Sequence, residues 1–342
     1  MARKPKKRRP LPLVRLNLLA PILDALDTTE ADGDAVLESV GLTRDAIYGE
    51  DDFVHVMAIH QFLEAAASGA RDPHFLAKVA ETIDLSAWPP LVKAAKTART
   101  VGDFITYFAN AAEEHATSAE QFLEVRGRTA CVGERRLFEP PITPAQNDAF
   151  MTSIWITLVR HAMGTKWQPD KVTVKMSNPT SLPTVFHGIR ALQGDRMGFQ
   201  MRFPSSWLTA PFDQTDFWAQ AEHHQNAPRP SSSIVQSVRQ VLKPHIGDGT
   251  RLTTERAAKI CRMNQRKLAR QLTDDGSSLA AIIDDLYREA TAEALSQSNR
   301  PLREIASSLG YSDTTALSRS FKRWTGQTPI AFRKQNTLLD DG

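Results

Sequence analysis

With 342 residues, 41% hydrophobic and 24% charged, the chain is too long for one ordinary core and reads as a soluble protein of two folded domains. Its two cysteines, Cys131 and Cys261, cannot supply a cysteine-based zinc site, and no run approaches the roughly 18 apolar residues that span a bilayer. The net charge of +3 conceals a division: residues 11–230 carry 19 basic against 27 acidic side chains, whereas residues 231–342 carry 17 against 12, so a polyanion partner, or else a merely solvated basic face, belongs to the C-terminal part alone.

Residues 1–10, with Lys4, Lys6, Lys7, Arg8 and Arg9 among prolines, bury nothing and are expected to form a disordered basic tail, either solvated or weakly attracted to nucleic acid. Leu11 to Val14 briefly imitate the apolar part of a signal peptide. Arg15, Asn17 and Asp24 interrupt it, so no signal peptide is expected and the chain reads as cytoplasmic, its free thiols suited to a reducing compartment.

Residues 11–224 read as one α+β domain richer in helix than strand. Val54, Ile59, Phe62, Leu63 and Ala66 make an apolar stripe at helical spacing, and Phe75, Leu76, Val79 and Ile83 make another after the opening Asp72-Pro73. Phe104, Ile105, Tyr107, Phe108 and Ala111 continue the pattern, and a long aliphatic run with Trp155 extends from Ala149 to Ala162. Strand signals fall at Gln121 to Val125, Lys171 to Met176 and Gly198 to Phe203, with turns at Pro140-Pro141 and Asn178-Pro179. Residues 225–233, polar with two prolines and no apolar period, read as a linker where the charge changes sign.

Residues 234–337 carry a doubled motif. Thr253-Thr254-Glu255 opens a short helix burying Ala257, Ala258 and Cys261; after a turn at Arg262-Met263-Asn264 a second helix buries Leu268 and Leu272. Pro301 opens the counterpart, burying Ile305, Ala306 and Leu309; Gly310-Tyr311-Ser312 turns, and Leu317, Phe321 and Trp324 line the next helix. The matched positions place one extra residue in the second turn. In a helix-turn-helix a small residue lets the helices cross closely and a glycine takes the left-handed turn. Arg262 stands where that glycine would sit, so the first turn is either strained by about 1 kcal/mol or shaped differently. Leu279 to Ser298 form one helix of about 30 Å between the units, a spacing suited to successive major-groove segments about 34 Å apart.

The run Ile305-Ala306-Ser307-Ser308-Leu309-Gly310-Tyr311-Ser312-Asp313, followed by Ser318 to Pro329 and Phe332-Arg333, closely resembles the signature of AraC/XylS-family transcription regulators, and Met263 to Leu272 resemble that family's first recognition helix. Arg262 and Leu317 depart from it, where a small residue and an aromatic are usual. Asp72-Pro73-His74-Phe75, Val172 to Pro179 and Phe203 to Asp216 resemble the family's arabinose-binding-like sensor domain, although Leu76-Ala77 replace a frequent glycine. The resemblance implies a mostly α architecture: an α+β sensor and dimerisation domain followed by an all-α double helix-turn-helix domain. It further implies an effector-responsive activator, a homodimer through residues 11–224, with double-stranded operator DNA, RNA polymerase and an unidentified small-molecule effector as partners.

On the first recognition helix Asn264, Gln265, Arg266, Lys267 and Arg270 face outward; on the second, Thr314, Thr315, Ser318 and Arg319 do so. Arg266, Arg270 and Arg319 can pair bidentately with guanine, and the hydroxyls suit thymine methyls or phosphate. Lys322, Arg323 and Arg333 suit phosphate, which positions without specifying; taken singly, Lys267, Lys322 and Arg323 also read as a solvated face. Catalytic readings are weak. His223-His224 with Glu222 lack a third ligand, His55, His60 and His74 have no site-like spacing, and no P-loop, Gly-x-Ser-x-Gly or dinucleotide fingerprint occurs. A DNA-repair methyltransferase fused to a similar domain would need more cysteines than two. No enzyme activity, cofactor or metal is expected. The remaining alternative is an architectural protein whose body dimerises without sensing.

Overall fold

The computed structural model describes residues 10–49, 52–82, 91, 94, 97–212, 230, 231, 233–298 and 300–340. The basic tail before residue 10, most of the linker, Ile83 and His223-His224 lie outside the described residues. The described residues form two compact units, one within residues 12–230 and one within residues 231–340 that also includes Pro10 and Leu11.

In the N-terminal unit, β1 (Leu13–Arg15) pairs antiparallel with β2 (Phe53–His55). Between them lie α1 (Ala20–Asp27), α2 (Gly33–Val40) and α3 (Arg44–Tyr48). Asp32 and Thr43 cap α2 and α3, their side-chain oxygens accepting from the backbone N–H of Ala35 and Ala46. α4 (Val56–Gly69) begins later than the apolar stripe implies: Val54 belongs to β2, and extended His55 caps the helix by accepting the Met57 N–H on Nδ1. α5 (Phe75–Thr82) follows Asp72-Pro73 as the sequence indicates, and α6 (Val101–Ala112) opens on a capping box between Thr100 and Asp103. Tyr107, expected on the inward stripe of α6, is 42% exposed. At 3.6 residues per turn it sits about 100° from the centre of the face formed by Phe104, Ile105 and Phe108.

β3 (Ala119–Arg126) and β4 (Thr129–Arg136) form a hairpin, followed by α7 (Ala145–Met163), β5 (Thr173–Met176), β6 (Ala191–Gln193) and β7 (Gln200–Pro204). The sheet order is β3-β4-β7-β5-β6, with β5 and β6 the parallel pair. The anticipated strands correspond to β3, β5 and β7. β4 was hidden by the consecutive charges Glu134, Arg135 and Arg136, yet it lies inside the sheet. There Gly133 admits the Phe199 carbonyl so closely that a Cβ would stand 2.2 Å from it. Trp155 of α7, 1% exposed, takes Phe104 and Phe108 of α6 edge-on at centroid distances of 6.1 and 5.1 Å.

Helices are the only regular elements in the described part of the C-terminal unit. Its elements are α8 (Ile234–Leu242), α9 (Thr254–Ile260), α10 (Gln265–Asp274), α11 (Leu279–Gln297), α12 (Leu302–Ser308), α13 (Thr314–Thr325) and α14 (Pro329–Asp340). Leu11 joins it by donating its backbone N–H to Ser237 Oγ at 3.2 Å. Among the described residues no helix is long and apolar enough to cross a membrane.

Candidate functional site

α9 with α10, and α12 with α13, are two helix-turn-helix units closed by equivalent bonds. The Arg262 N–H donates to the Lys259 carbonyl and the Met263 N–H to that of Ala258; at the matching positions Gly310 donates to Ser307 and Tyr311 to Ala306. Arg262 adopts φ 52 and Gly310 φ 69, so the first turn takes the left-handed shape despite its side chain, at a cost of about 1 kcal/mol. The extra residue lies between turn and cap. Asn264 caps α10 two positions after Arg262, whereas Asp313 caps α13 three positions after Gly310.

Leu268 and Leu272 of α10, and Leu317 and Phe321 of α13, are completely buried. Their burial turns the other faces out: Asn264, Gln265, Arg266, Lys267, Arg270, Thr315, Arg319, Lys322 and Arg323 are exposed, while Thr314 and Ser318 are half-buried. Asn264 is engaged as a cap, its carboxamide oxygen accepting from Arg266 and Lys267 N–H at 3.0 and 3.3 Å, and Gln265 Nε2 donates to Thr254 Oγ1 at 3.2 Å. Among the described residues Arg266, Lys267, Arg270 and Lys322 form no ion pair, unlike their neighbours Arg256 and Lys259. Arg319 lies near Asp313, whose carboxyl is held below its usual range, first by the Ala316 N–H and more weakly by Arg319. Arg323, though exposed, is paired with Asp284 of α11 at 3.1 Å and lies over the half-buried Trp324. Arg333 similarly donates to the Arg300 carbonyl at 2.8 Å.

A clamp that the sequence pattern did not reveal joins the two units. The Arg251 guanidinium lies between the rings of Tyr287, at 4.0 Å, and Tyr311, at 4.1 Å. Tyr287, buried in the middle of α11, accepts the Leu252 N–H on its hydroxyl at 2.8 Å. The segment leading into the first helix-turn-helix is thereby packed on the turn of the second, where the Gly249 N–H also reaches the Ser308 carbonyl.

The N-terminal unit contains a cavity of about 110 Å³, several times what one water needs, walled by Leu18, Ile22, Ile59, Phe108, Phe150 and Met151 among others. Its polar side is built by β3, β4 and α4. Arg136 bonds Asp148 and Glu134, the latter at 3.1 Å, and Gln121 Nε2 donates to Glu134 at 3.0 Å. Asp148 in turn accepts the Ser177 N–H at 2.8 Å. Burial raises the Glu134 pKa, and Asp148 adds to the effect. Burial also opposes the Arg136 charge, but the two carboxylates more than offset it. His60 also lines the cavity; burial, then Arg136 and His55, lower its pKa to about 3. The unfolded chain takes up this proton near 6.5 and the folded chain only near 3, so His60 leaves stability intact above 6.5 and erodes it as the pH falls toward 3. The erosion is about 1.4 kcal/mol per pH unit between the two values. His60→Phe should therefore flatten the acid limb of a stability–pH profile, and an unchanged slope would show that the imidazole titrates freely in the folded chain.

A family model described as the arabinose-binding domain of AraC transcription regulator, N-terminal, matches residues 31–212, more than half the chain, and a helix-turn-helix domain model matches residues 257–335. The chain belongs to the AraC family of transcription regulators. This AraC-family chain is 40% identical over 76 residues to the HTH-type transcriptional regulator VqsM of Pseudomonas aeruginosa, covering 22% of itself and 23% of that protein. It is 32% identical over 101 residues to the ornithine utilization regulator of the same species, covering 30% and 29%. The matches thus span about a quarter of the length of these relatives. The solved transcriptional regulator CdpR of Pseudomonas aeruginosa aligns over 92% of this chain and 98% of its own, at 16% identity and a TM-score of 0.38. Within this AraC-family chain, sequence reasoning missed the cavity residues His60, Glu134 and Arg136, and Asp148 behind them. The available signal was Asp148, an acid at the start of an aliphatic helix where a charge needs a buried partner.

Proposed function

We propose that the chain is a sequence-specific transcription regulator whose α10 and α13 enter two successive major-groove segments of double-stranded operator DNA. The observation that carries this reading is the pairing of two equivalent turns and capped helices, each with an exposed basic face, on α11. At 1.5 Å per residue its 19 residues are about 28 Å long, comparable with one turn of B-DNA. The names of the matched relatives, both regulators, support it. The reading extends to an effector-responsive activator in the cytoplasm, dimeric through the N-terminal unit and acting on RNA polymerase, with the cavity as the effector site. A body that only dimerised would have no use for a walled cavity with a charged side.

Selection of operator sequences by the full chain, followed by groove-specific protection, tests the central claim. Two protected major-groove segments about one helical turn apart are expected, and a single short segment would overturn it. The fragment 234–337 should bind the selected operator more weakly than the full chain, because it loses the avidity of dimerisation as well as the Leu11 contact to Ser237. Equal affinity of fragment and full chain would remove the case for a dimerising N-terminal unit.

A further inference from the structure

Two carboxyl groups share one guanidinium beside the cavity. Among the described residues Arg136 is the one cation bonded to the cluster, and it already serves two carboxyl groups, Glu134 and Asp148. Asp148 is completely buried and also holds the Ser177 N–H, whereas the Glu134 side chain, 11% exposed, lies on the cavity wall. Further polar atoms line the same space without a hydrogen-bond partner: Gln121 Oε1, whose amide group donates to Glu134; Nδ1 of His60, a residue only 2% exposed, which accepts when the proton sits on Nε2; and the donor Asn147 Nδ2. The imidazole is uncharged at neutral pH because burial and Arg136 hold its pKa far below the usual value. The Arg136 Nε is also without a partner, but its guanidinium charge is consumed by the two acids.

An anionic ligand would face a carboxylate with no free cation to receive it. A monosaccharide would need hydrogen bonds along its whole surface, which walls of leucine, isoleucine, phenylalanine and methionine do not provide. An ammonium group meets both conditions: its charge holds the Glu134 carboxyl ionised against the burial around it, and its N–H donors meet Glu134, Gln121 and His60. We propose that this cavity binds a small amphiphilic primary amine, its ammonium group on Glu134 and its apolar body against the Leu18, Ile22, Ile59 and Phe150 walls. The proposal rests on the reading of the cavity as the effector site and names the chemical class that site accepts.

Calorimetric titration of the full chain with n-hexylamine, n-hexanol and n-hexanoate, at fixed ionic strength, tests the head group at constant apolar body. Hexylamine should bind about tenfold more tightly than hexanol, with hexanoate weakest. Glu134→Gln, which keeps the shape and one acceptor, should abolish the advantage of the amine and leave hexanol unchanged. Leu18→Trp, at the half-buried edge of the cavity, should weaken all three and keeps the test decisive if the first variant does not fold. Hexanoate binding as tightly as hexylamine, no binding by any probe, or an amine preference that persists in Glu134→Gln would overturn the proposal. A parallel operator titration separates it from the reading beneath it. Amine binding that leaves DNA affinity unchanged removes the effector role but keeps the ligand class; a non-amine metabolite that occupies the cavity and shifts DNA affinity does the reverse.

Discussion

Gly310→Ala should cost the C-terminal unit about 3 kcal/mol or more, whereas Arg262→Gly, at the equivalent turn, should stabilise it by up to about 1 kcal/mol. Both positions are left-handed, with φ 69 and φ 52, so both replacements move the same backbone penalty of about 1–2 kcal/mol in opposite directions. The larger loss at Gly310 is steric. A Cβ there would stand 2.4 Å from the Arg251 nitrogen and 2.6 Å from the Thr250 carbonyl carbon, which are backbone atoms that cannot swing aside. Displacing them separates Arg251 from Tyr287 and Tyr311 and loosens the contact between the two helix-turn-helix units. Arg262 is exposed, and the gain from its replacement is reduced by the greater chain entropy that glycine gives the unfolded state. Urea unfolding of the full chain, followed at Trp324, the one tryptophan beyond residue 230, through a probe of its local environment, measures both. A Gly310→Ala variant within 1 kcal/mol of wild type would mean that the second turn is not packed on the Arg251 segment.

Arg270→Ala and Arg319→Ala should each lose about 1–3 kcal/mol on the true operator and much less on random DNA, because a base contact exists only with the right base. Arg270 of α10 and Arg319 of α13 occupy equivalent exposed places, each two positions before a fully buried residue, Leu272 and Phe321. Their losses should therefore relax specificity at base pairs about one helical turn apart. Lys322→Ala should weaken operator and random DNA about equally and lower the salt slope by about one, since one fewer counterion is released. Arg323→Ala should behave differently again. Its guanidinium is tied to Asp284 and lies over Trp324, so its loss should disturb the seating of α13 on α11 more than the salt slope. Binding-site selection with each variant, at two salt concentrations, separates these classes. If both arginine variants blurred the same base pair, or neither changed the preferred sequence, the two-segment reading would be wrong.

Local pattern was enough for α9, α10, α11 and α13 because each is capped and amphipathic. Thr253, Asn264, Ser278 and Asp313 sit at the N-termini with their side-chain oxygens on backbone N–H groups, and the buried residues recur at helical spacing. The same logic failed in the body where the period was too short or masked by charge. Three-residue strands such as β1, β2 and β6 contain too few alternations to register, and β4 ends in charges of which Arg136 is buried against Asp148, arriving from α7.

By itself, then, the order of residues determined the two-part organisation, the repeated helix-turn-helix and the outward faces of α10 and α13, since caps, turns and apolar spacing act within a few residues of one another. Tertiary structure alone decided two further matters: that Arg323 is tied to Asp284 and Arg333 to the Arg300 carbonyl, and that a charged cavity opens in the body. Each of these depends on groups far apart in the chain. Arg251 meets Tyr287 and Tyr311, and His60 shares a wall with Gln121, Glu134 and Arg136. The energy of such contacts comes from desolvation and charge pairing at close range, and no local period records which distant partner will supply them.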